Sequence, residues 1–276
     1  MLHKSKCDRV SPYTVRVKSL FLDYDGTISP LKASRSHSKV PTETRIMLQR
    51  ICRHIPIIIV STKDLSFLLP RTPFARAWCG IAGIETKIGN TIKEHAIPIT
   101  ALERIALGLQ YAKSNATNSD LFVEEKRDSS GRTVAFCLDW RQASEMQVVR
   151  AKADMIAGYC EKLDLKVSRY PGRPFYDVYP VRVDKGVAVR EIREELKLED
   201  GALYMGDSEV DNLAFSACDI SLGVKHDDGS EQNLACDYSV EYGQVADFLA
   251  MLLENDLFFS SSFPMITKSP RKMTED

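Results

Sequence analysis

After a polar opening, the chain runs into an apolar stretch, Val17 to Leu22, that stops abruptly at Asp23-Tyr24-Asp25-Gly26-Thr27. Short apolar runs bounded by turn residues read as buried strands. If the strand continues to Asp25, residues two apart share a face, so Asp23 and Asp25 point the same way at its carboxyl end. Ile28 to Val40 is polar and rich in Ser and Lys, a loop beside the acids and a candidate gate. Pro41-Thr42-Glu43 then opens a helix with Ile46, Leu48, Ile51 and Cys52 on its apolar face. Ile55 to Val60 is continuously apolar, the mark of a strand buried on both sides, and it ends in Ser61-Thr62. Strand, helix, strand with polar groups at both carboxyl ends predicts a parallel β-α-β unit.

Asp64 to Leu69 predicts a short helix stopped by Pro70, and Trp78 to Gly83 a further strand. From about Glu85 the pattern changes. Thr86 to Ile97 reads as a hairpin around Gly89-Asn90, followed by a helix over Thr100 to Lys113. Strands at Leu121 to Lys126 and Arg132 to Arg141, a helix from Ala143 to Leu163, and strands at Lys166 to Tyr170 and Phe175 to Tyr179 follow. Without strict alternation, this stretch predicts an α+β unit inserted into the parallel one. Asp184-Lys185-Gly186 restarts the first pattern: a helix, then the strand Ala202 to Met205 ending in Gly206-Asp207-Ser208, then a helix with Glu209, Asp211 and Asn212 in its first turn. Two strands, Asp219 to Leu222 and Asp237 to Val240, and a helix over Gln244 to Leu253 complete the unit. The expected organisation is a core over residues 1–84 and 182–256, an insertion over 85–181, and a flexible tail over 257–276 whose Phe258, Phe259 and Phe263 are candidates for docking.

Composition narrows the partners. At 276 residues, 44% hydrophobic and 27% charged, the chain is long enough for two modest domains. A net charge of -1 offers no electrostatic footprint for nucleic acid or an anionic membrane. No apolar run reaches the length of a membrane span, and Met1 to Arg16 lacks the apolar stretch of a signal peptide. The seven cysteines are scattered without C-x-x-C or zinc spacing, which suits a reducing cytoplasm.

Two carboxylates held as close as Asp23 and Asp25 repel unless a cation or shared proton compensates, so chemistry is the economical reason for the pair. The carboxyl ends of parallel strands are also where open α/β sheets hold ligands. Three predicted strands end in Asp23/Asp25, Ser61 and Asp207/Asp211, and Lys185 begins a core helix. This ordered set, D-x-D-G-T, a Ser after an apolar strand, a Lys, then G-D-x-x-x-D, resembles the haloacid dehalogenase superfamily of phosphoryl-transfer enzymes. The resemblance implies an α/β fold with a Rossmann-like parallel-sheet core and an inserted α+β cap domain. It implies Asp23 as nucleophile, Asp25 as acid and then base, and Ser61 and Lys185 holding the phosphoryl oxygens. It also implies Mg²⁺ on Asp23, Asp207 and the Asp25 backbone carbonyl, with Asp211 as ligand or supporting partner. The chemistry needs these types: an in-line nucleophile, cations for the equatorial oxygens, and a proton for the leaving oxygen.

Within the insertion, Val123-Glu124-Glu125-Lys126 and the strand ending Asp139-Trp140-Arg141 resemble the E-x-K and H-Y-R segments of trehalose phosphatases. Gly172-Arg173-Pro174-Phe175-Tyr176-Asp177 resembles their G-[KR]-x-x-x-E segment. That resemblance implies Glu124, Lys126, Arg141, Arg173 and Asp177 as binders of sugar hydroxyls; cross-strand ion pairs on a solvated face are the plain alternative. There are departures: Thr62-Lys63 stands for Gly-Arg, Asp139-Trp140 for His-Tyr, and Asp177 is one methylene short of Glu. The expected function is a Mg²⁺-dependent phosphatase of a small-molecule sugar phosphate, foremost trehalose 6-phosphate. Alternatives are mannosyl-3-phosphoglycerate or sucrose 6-phosphate as substrate, a phosphohexomutase, or a non-catalytic regulatory domain associated with a sugar-nucleotide glycosyltransferase.

Overall fold

The computed structural model describes residues 13–227 and 232–269. In chain order the strands are β1 (Thr14–Arg16), β2 (Ser19–Leu22), β3 (Ile57–Val60), β4 (Ala77–Gly80), β5 (Glu85–Ile88), β6 (Thr91–Glu94), β7 (Phe122–Arg127) and β8 (Thr133–Asp139). They continue with β9 (Lys166–Arg169), β10 (Phe175–Tyr179), β11 (Ala202–Gly206), β12 (Ile220–Lys225), β13 (Tyr238–Glu241), β14 (Phe258–Ser260) and β15 (Thr267–Lys268). The helices are α1 (Thr42–Ile51), α2 (Leu65–Leu68), α3 (Ile99–Ala116), α4 (Met146–Lys162), α5 (Lys185–Glu195), α6 (Asn212–Phe215) and α7 (Val245–Glu254).

The core is a nine-stranded sheet in the order β15-β13-β12-β11-β2-β3-β4-β5-β6, parallel from β13 through β4. Its central strands are apolar throughout because both faces are covered. Leu20, Leu22, Ile57 and Ile59 pack against Leu48 and Ile51 of α1 and Phe248 and Leu249 of α7. Phe21, Ile58, Val60 and Tyr204 face the other way, onto Val189 and Ile192 of α5 and Phe215 of α6. Adjacent placement of β12, β11, β2 and β3 brings their carboxyl ends together at one edge of the core.

The second sheet, β7-β8-β10-β9, is antiparallel. Phe136, Leu138, Tyr176 and Val178 on one face pack under α3 and α4 through Ile105, Ala112, Ala153 and Ile156. Side chains alternate along a strand, so the opposite face carries Glu124, Lys126, Cys137, Asp139, Phe175 and Asp177. Cross-strand rows Phe122-Asp139-Phe175 and Glu124-Cys137-Asp177 follow from the register. Ala135 and Tyr179 meet Ile81, Ala82 and Ile84 in a small apolar cluster that joins the two units.

Three expectations change. The Glu85–Glu94 hairpin, read as the start of the insertion, pairs with β4 and extends the core sheet instead. Local pattern identifies a hairpin but not the sheet edge it joins. Residues 257–269 are not a loose tail: β14 pairs with β1, β15 pairs with β13, and Leu257, Phe259 and Phe263 are buried against Phe248. The aromatic burial outweighs the ordering cost that the polar serines suggest. On α1, Ile46 is 44% exposed and stands outside the buried face. The opening residues 1–12, on which the signal-peptide reading rests, and the charged end at 270–276 lie outside the described residues. Among the described residues, no helix is long and apolar enough to cross a membrane.

Candidate active site

Asp23 follows directly on β2, and Asp25 lies two residues on, where its backbone bridges Ser29. The turn needs Gly26: φ is +77°, and a Cβ there would stand 2.2 Å from Asp207 Oδ2. The glycine therefore lets the β2 and β11 loops come close enough to face their acids toward each other. Asp207, after β11, and Asp211, in the turn beyond, complete a buried triad with Asp23 whose nearest carboxylate oxygens all lie within 4.8 Å. Lys185, the first residue of α5, is 2% exposed and donates to Asp23 Oδ1 at 2.7 Å and to Asp211 Oδ1 at 2.8 Å.

The three acids are not equivalent. Asp211 Oδ1 also accepts from Tyr204 Oη, while its Oδ2 accepts from the Ser208 backbone N–H and Oγ. Both its oxygens are thus occupied as a structural anchor. Asp207 Oδ2 faces Arg173 Nη2 at 3.2 Å and His226 Nε2 at 3.3 Å. Burial pushes the Asp23 and Asp207 carboxyls upward, with neighbouring Asp211 adding to the rise in each. Burial lowers the Lys185 ammonium pKa, but Asp211 and Asp23 outweigh it and keep it charged far above its ordinary range. A buried cluster of hard oxygen donors with excess negative charge fits a divalent cation that prefers carboxylates.

Ser61 is buried at the end of β3 and lines the same cavity. It does not cap the next helix: Asp64 does so, accepting from the Phe67 N–H at 2.9 Å. Asp25 accepts from Ser38 Oγ at 3.2 Å, and Lys63 Nζ lies 3.5 Å from its Oδ2. The cavity floor is Asp23, Asp25, Ser61, Lys185 and Asp207, and its roof is Lys126 and Asp177 from the second sheet with Arg141 and Arg173 from the loops after β8 and before β10. Among the roof groups, Asp177 is ion-paired to Lys126 and accepts from Tyr170 Oη at 2.7 Å and Tyr179 Oη at 3.2 Å. Burial, reinforced by Asp177, holds both tyrosine hydroxyls well above their ordinary pKa. Arg141 is clamped by Asp139 and donates to the Leu31 carbonyl at 2.7 Å in the Ile28–Val40 loop.

Glu124 stands apart from the other sequence candidates. It does not line the cavity; Lys63 Nζ lies 3.2 Å from both its oxygens, and Arg35 pairs with it while also holding Asp64. Lys63 therefore links Asp25 on the core to Glu124 on the inserted sheet. The sequence marked Lys63 as a departure, but nothing local pointed to Arg35, Tyr170 or His226. Burial works against the Glu124 charge, yet Lys63, Arg35 and Lys126 prevail and hold its carboxyl down at about 2. Its folded pKa lies below the unfolded value near 4.5, so its contribution is full above that pH and is lost as pH falls toward 2. Glu124→Gln is expected to flatten this acid limb of stability by about 2 kcal/mol, measured as urea unfolding from pH 6 to pH 3. Lys63 and Arg35 keep Asp25 and Asp64 as partners in that variant, so neither charge is stranded.

Comparison with known proteins agrees with this arrangement. Residues 21–232 match the trehalose-phosphatase family model. The trehalose-phosphate phosphatase of Mycobacterium ulcerans is 25% identical over 256 residues, covering 87% of this chain and 62% of that protein. The chain thus spans less than two thirds of the length of the curated relatives it matches. Among solved structures, the C-terminal domain of C. albicans trehalose-6-phosphate phosphatase is similar with a TM-score of 0.68 at 17% identity, covering 87% of this chain and 93% of that one. A haloacid dehalogenase-like hydrolase from Bacteroides thetaiotaomicron gives 0.64 at 14% identity, covering 86% and 100%. These two likenesses concern the fold, a parallel core with an inserted cap. With the family model matching most of the chain, including both acid pairs and the lysine between them, the chain belongs to the trehalose-phosphatase family.

Proposed function

We propose that this chain is a Mg²⁺-dependent sugar-phosphate phosphatase that hydrolyses trehalose 6-phosphate through an aspartyl-phosphate on Asp23. The observation that carries the reading is the convergence of Asp23, Asp25, Ser61, Lys185 and Asp207 on one cavity roofed by Lys126, Arg173 and Asp177. Asp23 and Asp207 would hold the cation, with Asp211 fixing Lys185 beside them. Bound Mg²⁺ supplies charge neutralisation to the acid cluster and to the phosphoryl oxygens.

An Asp23 oxygen bonds to phosphorus as the phosphorus–sugar oxygen bond breaks, and Asp25 gives its proton to the leaving sugar oxygen. Asp25, now a carboxylate, takes a proton from water while the water oxygen bonds to phosphorus. The bond from Asp23 to phosphorus breaks, releasing inorganic phosphate and restoring the Asp23 carboxylate. Lys185 and Ser61 steady the phosphoryl oxygens throughout. Arg173 and Lys126 present donors, and Asp177 acceptors, where sugar hydroxyls arrive under the roof. In this reading the inserted unit follows the Glu85–Glu94 hairpin, which pairs with the core, and runs to 181. A cytoplasmic location fits its small, soluble substrate.

Phosphate release from trehalose 6-phosphate, sucrose 6-phosphate, mannosyl-3-phosphoglycerate and glucose 6-phosphate tests it. Trehalose 6-phosphate is expected to turn over fastest, with activity lost to EDTA and restored by Mg²⁺. Preference for another member would reassign the substrate. A phosphohexomutase would release little phosphate and require a bisphosphate activator. Under the regulatory reading, with a sugar-nucleotide glycosyltransferase as partner, unsubstituted protein would match Asp23→Asn on every substrate.

A further inference from the structure

We propose that a second cleft, adjoining the catalytic cavity across Arg141, is a subsite for the distal sugar ring of a disaccharide leaving group, stacked on Phe122. This rests on the phosphatase reading above. The catalytic cavity has a volume of about 40 Å³, far too small for both rings of a disaccharide. The neighbouring cleft has about 680 Å³, within the size range of small-molecule sites. Arg141 lines both, held in place by Asp139 and the Leu31 carbonyl.

The register of the inserted sheet explains how one ligand reaches across. Phe122, Glu124 and Lys126 alternate onto the same face of β7, so Phe122 stands roughly 13 Å along the strand from Lys126 in the catalytic cavity. That distance is on the scale of two linked hexose rings. The row Phe122-Asp139-Phe175 crosses the same gap, with Phe175 in the catalytic cavity and the other two in the cleft. Phe122 is 56% exposed on a face whose next two residues, Glu124 and Lys126, are buried. An exposed aromatic at the rim of a polar cleft offers a flat apolar surface to the C–H face of a sugar.

The cleft chemistry also selects a neutral, hydroxyl-rich ring over a second phosphate. Arg35 and Arg141 are already committed to carboxylates, and Asp120 and Asp139 line the wall. Among the described residues, Arg71 donates through Nε to the Ser38 carbonyl and through Nη1 to the Phe67 carbonyl and stacks on the Phe67 ring at 4.0 Å, which leaves Nη2 for hydroxyls. Mixed donors and acceptors around an aromatic face suit hydroxyls, which need both.

The test is a comparison of Phe122→Ala, Phe122→Tyr and unsubstituted protein on trehalose 6-phosphate, sucrose 6-phosphate, glucose 6-phosphate and p-nitrophenyl phosphate. In Phe122→Ala, KM for the preferred disaccharide phosphate is expected to rise roughly tenfold, with p-nitrophenyl phosphate within about twofold, and Phe122→Tyr is expected to restore it. Equal KM changes on all substrates, or none, overturn the subsite. If unsubstituted protein turns over p-nitrophenyl phosphate but prefers no disaccharide phosphate, the subsite also falls while the phosphatase chemistry stands. Failure to turn over any phosphate ester overturns the underlying reading, and the subsite with it.

Discussion

Asp23→Asn is expected to abolish turnover, lowering kcat/KM by at least about ten-thousand-fold on every phosphate ester, as loss of a covalent nucleophile does in other enzymes. The substitution keeps the shape of the side chain. Its amide oxygen can still accept from Lys185, which donates to Asp23 Oδ1 at 2.7 Å in the unsubstituted chain and keeps Asp211 as a second partner. The fold is therefore preserved, and the change removes one of three crowded buried carboxylates, so the melting temperature should move by no more than a few degrees. What disappears is the oxygen that bonds to phosphorus. Two measurements separate this from unfolding: phosphate release, and transfer of labelled phosphate to the protein in an acid quench. Label is expected on unsubstituted protein and absent from Asp23→Asn. Residual turnover within about a hundredfold of the unsubstituted chain would assign the attack to another group.

The site was legible where topology follows from local pattern. Apolar runs before Asp23, Ser61 and Asp207 are central strands buried on both faces, and parallel neighbours end on one edge. Their terminal polar residues therefore meet without any long-range signal being needed. Lys185 was legible for a related reason, since Asp184 caps its helix by accepting from the Gly186 and Val187 N–H groups and so fixes where that helix starts. The alternation of Glu124 with Lys126 correctly placed both on one strand face but not against the same partners. Glu124 turns to Lys63 and Arg35, about 60 and 90 residues earlier in the chain, and Lys126 to Asp177. The Glu124 pairings arise only when the inserted sheet closes on the core, and the Lys126 pairing only when β7 and β10 flank β8 in one sheet, so the pattern of a single strand carries no trace of either.

The same limit explains the edges of the fold. Glu85–Glu94 has the composition of any hairpin; its place beside β4 depends on the backbone edge left open there. Residues after Leu257 look like a tail because their serines are polar, yet Phe259 and Phe263 find Phe248 on α7. Aromatic docking of this kind is a property of the assembled core rather than of the segment.

The second large effect concerns the other acid. Asp25→Asn is expected to reduce kcat for sugar phosphates by roughly a thousandfold or more while leaving Mg²⁺ affinity within about threefold, because general acid–base catalysis is worth ~10²–10⁴. The geometry accommodates the amide. Asp25 accepts from Ser38 Oγ on one oxygen and faces Lys63 on the other. With its oxygen toward Lys63 and its NH₂ toward the Ser38 hydroxyl, which can also accept, asparagine strands no polar group. Its backbone carbonyl, the only part of the residue proposed to touch the metal, is unchanged. The leaving group then discriminates the two proton transfers. A sugar alkoxide needs the Asp25 proton to depart, whereas p-nitrophenolate does not. With p-nitrophenyl phosphate, Asp25→Asn should therefore release p-nitrophenol in a burst of one equivalent and then stall. The stall arises because no carboxylate remains to activate the water that frees Asp23. A slow linear release with no burst would place the loss in the attack itself, and a matching fall in Mg²⁺ affinity by calorimetric titration would show that the Asp25 side chain is a metal ligand.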